Sequence, residues 1–294
     1  MSSKKAKGNS ERKQERVVPA YEMQMTPEDM RRNTVIGASI VVTILVVIAV
    51  VIGVVMWQRH DSSKKSESVK QSSAEVMKTA AKPDGYVTDD GAIQWTKDGI
   101  VKGKLPAKWD DTAKVDVYLD PICPGCSSVD RLLTPYYEKY LESGDIVLRI
   151  HPMSFLTNYS TDDYSGRAAN AILRSLDANP DKTFAFITYL MSEGVQPKEG
   201  PDYQPVSDEE IQQFAIDSGY TKAEVKDIMD RKYDKWLRAS TDYIANRDDL
   251  KNEEGKFATP LVTVNGQKLS FDRTNADTIK QFERLVAKND SNQK

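Results

Sequence analysis

The chain is short of the residue types that build most metal and acid–base centres. Among 294 residues there are two cysteines, Cys123 and Cys126, and two histidines, His60 and His151. A structural zinc site takes four Cys or His ligands. The cysteine pair could supply only half of one, so no metal and no other cofactor is expected. A dominant charge is also lacking: 41 Lys and Arg oppose 44 Asp and Glu, giving a net charge of -3. Nothing in that balance suggests a nucleic-acid partner. Internal repeats and low-complexity tracts are missing as well.

One stretch lacks charge altogether. Residues 35–56 read VIGASIVVTILVVIAVVIGVVM, apolar apart from Gly, Ser and Thr. As a helix this run spans about 33 Å, the thickness of a hydrocarbon core. It predicts a transmembrane helix at 34–57, bracketed by Arg31 and Arg32 on one side and Trp57 and Arg59 on the other. A cleaved signal peptide fits worse, because the run is long, lies far into the chain and lacks a small-x-small site after it. The flanking basic residues do not decide orientation. Before the span, residues 1–33 are rich in Lys, Arg, Ser and Glu and are expected to be a disordered cytoplasmic arm. After it, residues 58–84 are rich in Ser, Lys and Ala and read as a linker.

Folded character starts near residue 85. Gly91–Trp95 and Gly99–Val101 suit a small leading hairpin, and Val115–Leu119 a core strand. Pro121 and Pro124 prevent that strand from continuing. Beyond Cys126, apolar residues at 129, 132, 133, 136, 137 and 140 keep helical spacing. They predict a helix to about Leu141, with Pro135 expected to kink it and Gly144 to cap it. Ile146–Ile150 reads as a second core strand. From 162 to 252 the pattern turns helical, and Ser207–Glu210 and Thr221–Glu224 each match a capping box. Strand character returns at Leu261–Val264, Asn265-Gly266 is a hairpin turn, and a last helix holds Ile279, Phe282, Leu285 and Val286.

The cysteine pair therefore sits where a strand ends and a helix begins. Unsatisfied N–H groups and the positive end of the helix dipole favour a thiolate there. Cys123, at the exposed end, is expected to be the nucleophile, and Cys126, one turn inside, the resolving thiol. A structural disulfide closing so short a loop would contribute only about 2 kcal/mol. A dithiol exchange pair is the leading reading.

Three segments carry a family resemblance: Asp120-Pro-Ile-Cys-Pro-Gly-Cys126, the helical insert, and Ala258-Thr259-Pro260-Leu261. Together they resemble the DsbA-like thiol–disulfide oxidoreductases. The resemblance implies an α/β thioredoxin-like fold over 85–290 with an inserted helical subdomain, preceded by one transmembrane helix. It implies a cis-proline at Pro260, with Thr259 free to bind an extended substrate, and active-site neighbours Pro124, Gly125 and Asp120. Two departures stand out. The family's buried acid, six residues before the first Cys, is replaced by Val117, leaving Asp120 as either its substitute or a turn-capping residue. The dipeptide Pro124-Gly125 lacks the His of DsbA, which implies a less stabilised thiolate and weaker oxidising power.

Taken with the apolar run, the resemblance implies a membrane-anchored oxidoreductase of the bacterial envelope, its C-terminal domain outside the cytoplasm. Exported proteins would be its substrates, and a membrane partner of the DsbB or vitamin K epoxide reductase type would reoxidise it. A reductase or isomerase with the same residues, a non-catalytic binding module, and more remotely a copper carrier remain as alternatives.

Overall fold

The computed structural model describes residues 64–271 and 274–291. The expected arm at 1–33 and transmembrane helix at 34–57 lie outside the described residues. Among the described residues, no helix is long and apolar enough to cross a membrane.

Six strands form one sheet in the order β2-β1-β4-β3-β5-β6. Its centre is β3 (Ala113–Leu119) beside β4 (Ile146–Pro152), paired in parallel with Ala113 opposite Ile146. Both strands are buried almost throughout, as parallel strands covered on both faces must be. On one flank β1 (Ile93–Thr96) pairs antiparallel with β4 and closes a hairpin with β2 (Gly99–Ile100). On the other flank β5 (Leu261–Val264) pairs antiparallel with β3 and turns into β6 (Gln267–Lys268). Asn265 and Gly266 both take positive φ, 49° and 77°. That backbone makes the tight turn whose twist matches the two strands it joins. Pairing in β6 stops after Lys268, and only the Leu269 N–H still reaches Val262 O.

The crossover from β3 to β4 is α2 (Pro124–Ser143), which ends on Gly144 at φ 84°. Its Cys126, Val129, Leu133 and Tyr137 face the main apolar cluster, and the helix runs through Pro135 without interruption. Between β4 and β5 lies the insert: α3 (Tyr164–Ala178), α4 (Thr183–Leu190), α5 (Asp208–Asp217) and α6 (Asp234–Ala245). The final helix, α7 (Asn275–Ser291), buries Phe282 and Val286 in the main cluster.

Two expectations from sequence need correction. Ser207 and Glu210 close a full capping box that opens α5. Thr221 and Glu224 form the same reciprocal bonds, yet residues 222–229 only turn, and helix resumes at Asp234. The cause is tertiary. Side chains on α3 take the carbonyls a helix would use: Arg174 donates to Asp227 O and Asn170 to Asp230 O. Asn170 Oδ1 also accepts the Tyr233 N–H at 3.1 Å, fixing the break.

The second correction concerns the linker. Residues 64–79 form helix α1, and Met77 is 4% exposed within the main cluster. Ser66 Oγ donates to Asn246 O and accepts from Lys251 Nζ. A stretch chosen for its polar composition thus hides one apolar stripe, Val76, Met77 and Ala80, that binds it to the domain.

Candidate active site

β3 ends at Leu119, and the next four residues turn the chain into α2. Asp120 controls that turn. Its carboxylate is fully buried and accepts hydrogen bonds from Ile122 N at 3.1 Å, Leu156 N at 2.8 Å and Ser165 Oγ at 2.6 Å. It thereby ties the cysteine turn to the loop after β4 and to α3. Burial raises its pKa, while these donors pull the other way. The turn-capping role is therefore visible in its geometry. Its charge also acts on both thiols, raising each. Asp116 is already engaged: His151 Nε2 lies 2.8 Å and Arg149 Nη1 3.3 Å from its Oδ1.

Cys123 is the N-cap of α2, with Pro124 in the first turn, where a missing N–H costs nothing. Its Sγ accepts the Cys126 N–H at 3.4 Å. The Cys126 thiol is the largest influence on it, donating to Cys123 and lowering its pKa; burial opposes, and Thr259 adds to the lowering. The balance brings Cys123 to about 7. Cys126 moves the other way. Burial pushes it well above the usual thiol range, and the hydrogen bond it gives and the charge of Cys123 add to this. Sequence placed Cys123 at the exposed end, but it is only 5% exposed. The Thr259–Pro260 loop covers it.

That loop is a cis peptide, as the resemblance implied. Thr259 O lies 3.6 Å from Cys123 Sγ. Gly125 explains how the loop comes so near. A Cβ there would sit 2.7 Å from Pro260 Cδ and 3.8 Å from Cys123 Sγ, so any side chain would drive the proline off the thiol.

Residues that sequence reasoning did not single out complete the site. Gln196, in the loop after α4, donates from one amide nitrogen to Pro121 O at 2.9 Å and Cys123 O at 3.0 Å. On α2, Ser127 Oγ donates to Met191 O at 2.6 Å, and Arg131 donates to the same carbonyl. The insert thus holds the cysteine turn from outside. Beside Cys123 opens a groove of about 290 Å³ whose lining includes Phe155, Leu156, Tyr159, Glu199 and Thr259.

Chemically, the arrangement pairs an available thiolate with a latent thiol. Two causes of the high Cys126 pKa, the charge of Cys123 and the bond to it, vanish once Cys123 is in a mixed disulfide. The resolving thiol is then released to attack, so the first step enables the second.

Residues 96–288 match the family described as Thioredoxin. No match to a curated protein was found. Several solved structures are similar. DsbG from Mycobacterium tuberculosis, a disulfide bond oxidoreductase in its reduced form, is 25% identical with a TM-score of 0.53, over 70% of this chain and 92% of that one. Reduced DsbA from the same organism is 24% identical with a TM-score of 0.52, over 67% and 92%. MdbA, a thiol-disulfide oxidoreductase from Corynebacterium matruchotii, is 23% identical with a TM-score of 0.50, over 72% and 96%. The last two show a shared fold. With the match spanning β3, the cysteine pair, the insert, Pro260 and most of α7, the chain belongs to the thioredoxin family.

Proposed function

We propose that this thiol–disulfide oxidoreductase works outside the cytoplasm, anchored by the apolar run at 35–56, and passes disulfides to exported proteins. The observation that carries the reading is the split between the two thiols: Cys123 at about 7 on the helix N-cap, Cys126 well above its ordinary value one turn inside. In the oxidised pair, a substrate thiolate attacks Cys123 Sγ, and the Cys123–Cys126 bond breaks with Cys126 leaving as thiolate. A second substrate thiolate then attacks the substrate sulfur of the mixed disulfide and expels Cys123 as thiolate. The substrate loses two electrons to the pair. A membrane partner of the DsbB or vitamin K epoxide reductase type would remove them. A lone dithiol in an oxidising compartment and a single span that raises the effective concentration of both proteins support that placement. Thr259 and Pro260 would orient the substrate chain beside Cys123.

One observation favours a second direction. Strong oxidants of this kind hold their nucleophile near a pKa of about 3.5, whereas thioredoxin holds it at about 7. Cys123 stands with the latter, which suits a reductase or isomerase with the same residues. Replacement of Cys126 by Ser tests the shared chemistry. In the envelope fraction, Cys126→Ser should accumulate mixed disulfides between Cys123 and exported proteins, and Cys123→Ser should accumulate none. If neither variant captures a partner, the exchange reading fails. The redox state of Cys123 and Cys126 in growing cells then separates oxidant from reductant.

A further inference from the structure

Two large apolar side chains stand exposed among the described residues, Phe155 at 37% and Tyr159 at 48%. Both line the groove beside Cys123. Phe155 is braced edge-on against Phe257, ring centroids 5.2 Å apart, and Tyr159 closes a short turn whose N–H donates to Leu156 O. The walls are therefore set rather than loose.

Into this apolar mouth comes a single charged side chain, Glu199. Its carboxylate forms no ion pair or hydrogen bond among the described residues. The neighbouring Lys198 lines a different groove, with Pro201 and Phe214, so the nearest cation in sequence faces another surface. Gln196, three residues before Glu199, fixes this loop to the cysteine turn. The carboxylate is thus carried on a segment anchored to the reacting sulfur, and nothing in the fold uses it.

We propose that Glu199 makes the groove selective for substrate segments with a lysine or arginine next to the reacting cysteine. The proposal rests on the exchange reading above. Apolar walls take the alkyl stem of such a side chain, the aromatic faces attract its cation, and the carboxylate completes the pairing. An acidic neighbour at the same place meets two negative groups, Glu199 and the Cys123 thiolate.

The test uses the full-length reduced protein in detergent. Its probes are nine-residue peptides whose single cysteine carries a thionitrobenzoate disulfide and has Lys, Gln or Glu beside it. Cys123 thiolate attacks the peptide sulfur, the peptide–aryl S–S bond breaks, and coloured thionitrobenzoate leaves with the electron pair. At low salt, the Lys peptide should react about threefold faster than Gln and about tenfold faster than Glu, the range expected for half-exposed charge pairs. Raising salt should narrow the spread. Part of that order is intrinsic, since a flanking cation activates any cysteine disulfide, so the variants decide. Glu199→Gln should reduce the Lys-over-Glu ratio severalfold, and Glu199→Lys should invert it. A ratio identical in all three proteins overturns the inference while leaving exchange intact. No reaction with any peptide removes the exchange reading, and the inference with it.

Discussion

At the scale of single residues, the site depends on how a buried sulfur is kept charged. Cys123 lacks a basic neighbour among its hydrogen-bond partners; the Cys126 thiol and backbone N–H and the Thr259 loop do the work instead. This has a measurable pH signature. Alkylation of Cys123 should rise about tenfold per pH unit below its midpoint, level off above pH 8 and give a midpoint near pH 7. An ordinary thiol would have its midpoint at about 8.5. Cys126 should stay unmodified over the same range. The sign for stability comes from linkage. A folded pKa below the unfolded one stabilises the reduced protein fully above about pH 8.5 and loses that contribution as pH falls through about 7. Reduced protein should therefore gain stability relative to Cys123→Ser between pH 6 and 9. Thermal unfolding across that range checks it, and a flat difference would place Cys123 among ordinary thiols.

At the scale of elements, the cysteine turn is held by a segment distant in sequence. The loop after α4 contributes Gln196, whose amide bridges Pro121 O and Cys123 O. Gln196→Ala removes both bonds and leaves two carbonyls beside a slackened turn. The expected cost is about 1–3 kcal/mol in unfolding free energy. If the clamp also positions the N-cap, the Cys123 alkylation midpoint should move upward and exchange should slow several-fold. A drop in stability with an unmoved midpoint would reduce Gln196 to a structural brace. No reading of one chain could have found this contact, because a lone Gln in a Pro- and Gly-rich loop carries no periodicity. The same limit explains the second capping box. Thr221 and Glu224 make the local bonds their spacing promises, and Asn170 and Arg174 then override them from another helix. Elements governed by local rules were legible: the apolar β3, the amphipathic α2 with its cap at Gly144, the Asn265-Gly266 turn. So was the placement of Cys123 and Cys126 at the head of α2, whereas the cis bond at Pro260 was implied only by the family resemblance. Asp120 was half legible, since its carboxylate serves a turn, a loop and a helix at once.

At the scale of the molecule, the site forms where four separated stretches meet beyond the carboxyl end of β3: residues 120–127, 155–159, 191–199 and 258–260. Open α/β sheets place their chemistry in that position because the loops there converge on one helix N-terminus. Helix α1 adds to the main apolar cluster through Met77. Composition marked residues 58–84 as a linker, yet a side chain as apolar as Met77 is 4% exposed and belongs to the main cluster. Residues 64–79 are docked through Met77, Ser66 and Ser73 and so belong to the domain. Met77→Ala should cost about 2–4 kcal/mol, as deletion of a buried methionine side chain does, without shifting the Cys123 alkylation midpoint. Chemical denaturation of the full-length protein measures the first and the pH profile the second. A cost below about 0.5 kcal/mol, the level of an ordinary surface substitution, would return residues 64–79 to the status of a linker.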